Sequence, residues 1–203
     1  MIADAIRTKT SAVRYKPSEM ANAIMAITTV EQNECVIDAI AEGTLSIAAG
    51  NASYITQNAF AYAPIEHAIF PNATYIGINA FYSCRSLIHV DLSECISISN
   101  NAFQYCESLE SANMRKCVSV MGDAFRGCST LSMISFPVCT TVNESAFISC
   151  RNISKVYLPS CITVGTSAFA YCSTMTTVNL PKCVVLHDSA FYLCNNITSV
   201  SLP

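Results

Sequence analysis

The amino-acid sequence predicts a repeat solenoid, in which a parallel β-sheet alternates with short helical or 3₁₀ turns, preceded by a small N-terminal helical segment. The first observation behind this prediction is a pattern that begins at Asn58 and returns six times, after 21 residues and then at steps of 22. The later copies begin at Asn79, Asn101, Asp123, Ser145, Ser167 and Ser189. The second is that the copies from Asn79 onward hold two apolar columns two residues apart, the period of a β-strand. A fixed period of this length is typical of a solenoid, whose units bury their apolar faces only against neighbouring units.

The composition argues against several classes of protein. The chain has 203 residues and a formal net charge of −3, whereas nucleic-acid binding needs clustered Lys and Arg, so we expect no nucleic-acid partner. The long uncharged stretches, such as residues 43–65, contain Asn, Ser, Gln and Pro, so no membrane span is predicted. Met1 is not followed by a basic region and then an apolar one, so no signal peptide is predicted either.

Three segments are predicted along the chain. Residues 1–30 are a helical cap or attachment segment, residues 31–50 are a transition into the first coil, and residues 51–203 are the solenoid of about seven 22-residue repeats. The apolar residues of the first segment fall on one helix face: Met20, Ala23, Ile24 and Ile27. Because helices this short are marginal alone, we expect them to dock on the first repeat or on a larger assembly.

Each repeat begins with a short turn. Its first column holds only Asn, Asp and Ser, which cap helix N-termini through a side-chain oxygen, so we predict an N-cap there. The sequence Ala-Phe-x-x-Cys follows, and a single helical or 3₁₀ turn would place the Phe and the Cys on one face. The Phe recurs in every copy and is predicted to stack into a buried spine, made of Phe60, Phe81, Phe103, Phe125, Phe147, Phe169 and Phe191.

A strand follows each turn. Val90 and Leu92 represent its two apolar columns, and the strands of successive coils are expected to pair into a parallel sheet along the solenoid. In the later repeats a proline comes directly after the second column, at Pro137, Pro159 and Pro181. We expect it to end the strand, since proline has no amide hydrogen for the ladder.

Eleven of the twelve cysteines recur every eleven residues from Cys84 to Cys194, and only Cys35 stands apart. Eleven is half a repeat, so two cysteine columns are predicted in the core. Three interpretations remain open. We favour reduced, packed thiols, because side chains within one column point in parallel rather than toward each other. The others are some disulfide bridges, or a metal site, for which the chain lacks a C-x-x-C pair and converging ligands.

A catalytic cysteine would need an exposed thiolate with a histidine within hydrogen-bond reach. The three histidines, His67, His89 and His187, fall at different phases of the repeat, and none recurs beside the same cysteine. We therefore predict no enzyme activity, no catalytic residue, no metal site and no cofactor.

The segment Leu87-x-x-Val90-x-Leu92-x-x-Cys95-x-x-Ile98 matches the leucine-rich-repeat pattern in its cysteine form, with one added residue. Together with the Ala-Phe-x-x-Cys-x-x-Leu half of the repeat, it resembles the BspA-like leucine-rich repeat, also called the Treponema pallidum type. The resemblance covers about three quarters of the chain, from residue 51 onward.

The resemblance implies binding without catalysis, as in bacterial surface and adhesion proteins and in tail- or baseplate-associated prophage proteins. It departs from the pattern in the first copy, where Ala63 and Ala73 replace the cysteines and Glu66 the leucine. We therefore predict a module that recognises a protein or a glycan through the solenoid surface. The alternative is a structural component, such as part of a prophage tail, docked through the N-terminal helices. The implied location is the bacterial cell surface, the medium or a phage particle.

The outward positions of the strand column line the face that leucine-rich repeats usually present to partners. Tyr157, flanked by Lys155 and Arg115, is the best candidate anchor, since Tyr and Arg are typical of binding hot spots. The other candidates on this face are Asp91, His89, Asn113, Met133 and Asn179. A merely solvated sheet face is the plainer interpretation. A second candidate surface is the tyrosine set beside the turns, Tyr62, Tyr82, Tyr105, Tyr171 and Tyr192.

The last coil ends on a strand at Leu202 and Pro203, with no polar capping segment after it. An uncapped solenoid end exposes apolar columns and a sheet edge. The sequence therefore predicts either self-association through the C-terminal coil or a chain truncated from a longer array.

Overall fold

The computed structural model describes residues 35–36, 46–49 and 52–203. The predicted helical segment, residues 1–30, lies outside these residues, as does most of the transition at 31–50. Two strands are described within the transition, β1 (Cys35–Val36) and β2 (Ser46–Ala49), and they pair antiparallel.

From residue 52 onward the chain winds into regular coils, and each coil contributes two short strands. The first kind of strand has two residues, and its members are β3 (Tyr54–Ile55), β5 (Tyr75–Ile76), β7 (Ser97–Ile98), β9 (Ser119–Val120), β11 (Thr141–Val142), β13 (Thr163–Val164) and β15 (Val185–Leu186). The second kind has three residues, and its members are β4 (His67–Ile69), β6 (His89–Asp91), β8 (Ser111–Asn113), β10 (Met133–Ser135), β12 (Lys155–Tyr157), β14 (Thr177–Asn179) and β16 (Ser199–Ser201). The repeat solenoid predicted from the sequence is confirmed.

Strands of one kind stack in parallel along the solenoid, each coil in register with the next. The two-residue strands form one seven-stranded sheet from β3 to β15. The three-residue strands were predicted, and they place Val90 opposite Ala112 and Val156 opposite Val178. The middle residue of these strands points into the core, and the flanking residues point outward. The seven-stranded sheet was not predicted.

The three-residue strands form two sheets rather than one. The first continues from β2 through β4, β6 and β8, and the second holds β10, β12, β14 and β16. At the intact junctions Leu92 N donates to Asn113 O (2.9 Å) and Ser154 N to Ser132 O (2.9 Å). Within the described coils, the equivalent bonds are missing only between β8 and β10, where Met114 N and Ser132 N have no backbone acceptor.

The turn that begins each repeat closes with hydrogen bonds between residues three apart, such as Tyr82 N to Asn79 O (3.0 Å) and Cys84 N to Phe81 O (3.1 Å). The prediction that the first column caps a helix N-terminus is wrong. All seven residues of that column have φ between 54° and 59°, the left-handed conformation, whereas an N-cap is extended. Asn and Asp tolerate this conformation because their short polar side chains bond locally.

The turns also form a ladder between coils, which explains why no helix develops. Asn79, Phe81 and Ser83 donate their amides to carbonyls of the next coil at 2.7–3.1 Å, and the same pattern recurs at the later turns. Every second amide is therefore used between coils rather than within a helix. All of these bonds point the same way, from each coil to the coil that follows it.

The core is a stack of columns. The phenylalanine spine is confirmed, with successive ring centroids 5.0–5.3 Å apart from Phe60 to Phe191. The eleven cysteines from Cys84 to Cys194 are free and buried, as the packed-thiol interpretation predicts. Those that follow the turns bond to backbone carbonyls, for example Cys106 Sγ to Phe81 O at 3.0 Å. Buried alanines let the turns of successive coils approach closely.

Candidate binding surfaces

The first part of the strand face is polar and bonded to itself. His89 and Asp91 lie on β6, and Asn113 lies on β8. His89 Nδ1 is 2.7 Å from Ser111 Oγ, and Asn113 Nδ2 donates to Asp91 Oδ1 at 2.9 Å. These side chains therefore satisfy one another from coil to coil, which reduces their capacity to bond a partner.

The second part of the strand face is more open. Met133, on β10, is beside Lys155, on β12, and Tyr157 is beside Asn179, on β14. Met133 is 57% exposed and Tyr157 is 47% exposed, and Lys155 is also exposed. Asn179 is half-buried, and its Oδ1 is buried without a hydrogen-bond partner among the described residues. Four of the eight candidate residues thus lie together on three consecutive strands.

Arg115 is not brought beside Tyr157. The neighbours of Tyr157 in the register are Ser135 and Asn179. Arg115 follows β8, in the position that Pro159 takes two coils later, and the break between β8 and β10 separates it from Tyr157. The interruption therefore divides the predicted residues into two groups.

The tyrosines beside the turns form two short stacks instead of one row. Tyr82 contacts Tyr62 and Tyr105 edge to face, with ring centroids 5.3 Å and 6.0 Å away. Tyr171 and Tyr192 form a second pair at 5.6 Å. The first stack ends where the Tyr105 ring covers Gly127, since a Cβ at Gly127 would lie 2.8 Å from the ring.

A third surface was missed by the sequence reasoning. The residue after each cysteine of the second column points outward from the corner that leads into the seven-stranded sheet. We call these residues, with their counterpart in the earlier coil, the outer row, consisting of Thr74, Ile96, Val118, Thr140, Ile162 and Val184. The signal available in the sequence was this regular β-branched residue one position after the buried cysteine.

These repeated coils identify the chain. The family model for the BspA-type leucine-rich repeat region matches residues 53–176 and 97–203, in six copies. The chain belongs to the BspA-type leucine-rich repeat family. No curated protein matches the sequence significantly.

Solved structures show the same leucine-rich-repeat fold. A leucine-rich repeat protein from Bacteroides ovatus is 19% identical with a TM-score of 0.65, over 86% of this chain and 52% of that protein. A leucine-rich cell surface protein from Faecalibacterium prausnitzii is 22% identical with a TM-score of 0.63, over 86% and 54%. The T. pallidum leucine-rich repeat protein TpLRR is 20% identical with a TM-score of 0.52, over 83% and 67%. The chain spans about half the length of the Bacteroides and Faecalibacterium structures.

Burial limits the reactivity of the cysteine thiols in the core of this BspA-type chain. Burial raises the pKa of the Cys95 thiol to about 12 and that of Cys161 to about 11. These thiols stay protonated at neutral pH and are poor nucleophiles. Cys194, in the last coil, differs because its hydrogen bond with Cys172 lowers its pKa. No histidine of the described coils is hydrogen-bonded to a cysteine.

Two further properties follow from the described part of the BspA-type chain. It contains no group of three or more His, Cys, Asp or Glu side chains placed to hold a metal ion. None of its segments forms a helix long and apolar enough to cross a membrane.

Proposed function

We propose that this BspA-type solenoid is a non-catalytic binding module that recognises a protein partner through Met133, Lys155 and Tyr157. The observation that carries the proposal is that these exposed side chains are neighbours on β10 and β12 and make no side-chain hydrogen bond or ion pair with the described residues. Leucine-rich-repeat solenoids in general present extended surfaces of this kind to partners.

The chemistry of the three side chains suits a protein surface. Tyr157 supplies a large rigid ring with a polar tip, and tyrosine is enriched among binding hot spots. Met133 is flexible and adapts to apolar contours. Lys155 adds one cation without an ionic partner among the described residues, which favours an acidic patch beside an apolar one on the partner.

The test is binding to purified bacterial-envelope and host cell-surface proteins on an array, with a glycan array alongside. The cell-surface description of the Faecalibacterium protein supports this choice of probes. We expect wild-type protein to bind at least one arrayed protein, and Tyr157→Ala and Lys155→Glu each to weaken that binding at least tenfold, about 1.4 kcal/mol. The matched controls, Tyr171→Ala and Lys182→Glu, change exposed residues on other surfaces and should bind like wild type.

Three outcomes would overturn the proposal. They are no bound protein, equal losses in the control variants, or binding to glycans alone. The structural alternative, docking into an assembly through residues 1–30, stays a prediction because those residues lie outside the described range.

Self-association through the last coil also stays a prediction. Val200 and Leu202 are exposed in that coil, whereas Val178 and Leu180, in the same columns one coil earlier, are buried. The variant Val200→Lys changes only the last coil, so it tests self-association there without altering Met133, Lys155 or Tyr157.

A further inference from the structure

We propose that the outer row is a contact surface through which two copies of this chain pack side by side, in opposite directions. This pairing goes beyond the proposed function, because it uses a different surface and leaves the strand face of each copy free. Two identical subunits related by a two-fold axis meet through the same patch on both, so the patch must be complementary to itself.

The outer row is regular. Each member after Thr74 donates its amide to the carbonyl of the member one coil earlier, and all five of these hydrogen bonds, from Ile96 N to Thr74 O onward, are 2.8 Å long. The spacing of the row is therefore the spacing of the coils. Ile96 is 50% exposed and Ile162 is 46% exposed, so their branched side chains project from the surface.

The two threonines present carbon rather than a hydroxyl to solvent. Thr74 Oγ1 donates to Ser53 O at 3.0 Å, and Thr140 Oγ1 donates to Val118 O at 3.3 Å. Because each hydroxyl is used by the backbone of the preceding coil, these threonines resemble valines in shape and in outward chemistry. The row is thus an uninterrupted line of apolar groups.

The row is uncharged on one side only, since the turn on its other side carries Glu94, Lys116 and Lys182. The uncharged column beside the row consists of Tyr75, Ser97, Ser119, Thr141, Thr163 and Val185. Its serine hydroxyls bond along the column, as Ser97 Oγ and Ser119 Oγ do at 3.3 Å. Burial of these two columns would desolvate no charged group. A contiguous exposed apolar line of this kind marks a contact site.

When a second copy of the row runs in the opposite direction, each residue faces one of similar shape. Read along the chain the row is Thr, Ile, Val, Thr, Ile, Val, so in an opposed copy Ile96 faces Ile162 and Val118 faces Thr140. Val and Thr have the same shape, so every facing pair is matched in size. Two rows with the same coil spacing can also stay in register along their whole length, which a partner without that spacing cannot do.

The size of the row limits the strength of the contact. Six members at a strand spacing of about 4.8 Å give a row roughly 24 Å long. Such a narrow strip buries less area than a standard stable interface, so the dimer should be weak and concentration-dependent.

Sedimentation equilibrium of the full reduced chain over a concentration series tests the proposal. We expect wild type to shift from monomer to dimer as concentration rises. The double variant Ile96→Lys with Ile162→Lys puts like charges face to face and should raise the dimer dissociation constant at least tenfold. The double variant Ile96→Glu with Ile162→Lys puts opposite charges face to face and should keep the dimer. Met133→Lys, on the strand face, is the matched control and should dimerise like wild type.

Several results would overturn the proposal. One is a wild-type monomer at every concentration, and another is a dimer that survives both lysine substitutions. Loss of the dimer in the Glu and Lys variant would overturn the opposed arrangement. Dissociation by Val200→Lys, with the outer-row variants unaffected, would assign association to the last coil. The array experiment with Tyr157→Ala is independent of all these results, so the two proposals fail separately.

Discussion

The two strand columns of the solenoid differ in continuity. The two-residue strands form one unbroken sheet from β3 to β15, whereas the three-residue strands are interrupted between β8 and β10. In the unbroken sheet each coil from Ile55 to Val164 contributes one buried Ile or Val of similar volume. In the interrupted sheet each coil contributes two inward positions, and the summed volume of the two varies from coil to coil.

The interruption coincides with the largest step in volume. The coil of β8 contributes Ala112 and Met114, and the coil of β10 contributes Ile134 and Phe136. Ala68 does not break the sheet at β4, because a phenylalanine two residues later supplies the missing volume. Packed interiors tolerate little mismatch. The repeat period thus determines the fold, while the volume match between neighbouring coils decides whether the ladder closes.

The largest loss of stability should come from a substitution in the core that both kinds of strand share. Phe125 is fully buried, with ring centroids 5.1 Å from Phe103 and 5.0 Å from Phe147. Phe125→Ala removes one ring from the spine and should lower the free energy of unfolding by about 3–5 kcal/mol. Urea denaturation measures the loss. Phe191→Ala, at the half-buried end of the spine, should cost less, and equal losses would contradict a continuous spine.

The next largest loss of stability should appear at alkaline pH, through the buried thiols that precede the strands of the unbroken sheet. Burial raises the pKa of both Cys95 and Cys139 to about 12, whereas an unfolded thiol ionises near a pH of about 8.5. Above that pH the unfolded chain loses protons that the folded chain keeps, so the free energy of unfolding should fall until the folded thiols ionise near pH 12.

Urea denaturation under reducing conditions from neutral pH to pH 10 checks the sign. Below about pH 8 these thiols should contribute no pH dependence. Cys139→Ala is the control and should show a shallower decline than wild type. An identical slope in both proteins would show that other groups cause the decline.

A smaller effect should come from repairing the interruption. Ala112→Val restores the residue type found at Val90 and Val156, and it should stabilise the protein by about 0.5–1 kcal/mol. Hydrogen exchange gives a local measure. In wild type the amides of Met114 and Ser132 should exchange faster than their counterparts in the intact junctions, and Ala112→Val should slow them.

The matched control for this repair is Ala102→Val, which adds the same volume at a fully buried position. Overpacking there should destabilise the protein by about 1–3 kcal/mol. If Ala112→Val is equally destabilising, missing volume is not the reason for the interruption.

The smallest effect should come from the ion pair between Lys116 Nζ and Glu94 Oε2, at 2.5 Å, which joins the coils of β6 and β8. Both side chains are well exposed, so Glu94→Gln should cost less than about 0.5 kcal/mol. Thermal denaturation at low and high salt measures it, and the difference should vanish at high salt. A larger loss would mean that charge rather than volume holds these coils together.

The parts of the fold that could be predicted from the sequence are those in which apolar residues facing the core recur at a fixed spacing. The phenylalanine and cysteine columns and the three-residue strands recur with apolar residues at fixed positions, and the structure confirms them. The seven-stranded sheet was missed because each of its strands places only one residue inward, as Ile98 does, so two residues show no alternation. The first column of the turn was misread because Asn and Asp suit both N-caps and left-handed positions.

The candidate surfaces were predicted only in outline. The strand face could be found from the alternation around Val156, which places Lys155 and Tyr157 outward. The sequence does not show which residues of this face are neighbours. The break at Ala112 depends on the volumes of side chains that are 22 residues apart in the sequence but lie in adjacent coils. The outer row was overlooked because a Thr, Ile or Val after a cysteine looks like core.

The direction of the turn ladder gives the solenoid a polarity. Each turn offers its amides to the coil that follows, and Ser167, Phe169 and Tyr171 bond in this way to the last coil. A coil that leaves the ribosome after the preceding coil has folded therefore meets amide donors that already point toward it. Folding can advance at the pace of translation, one coil at a time, without waiting for distant segments.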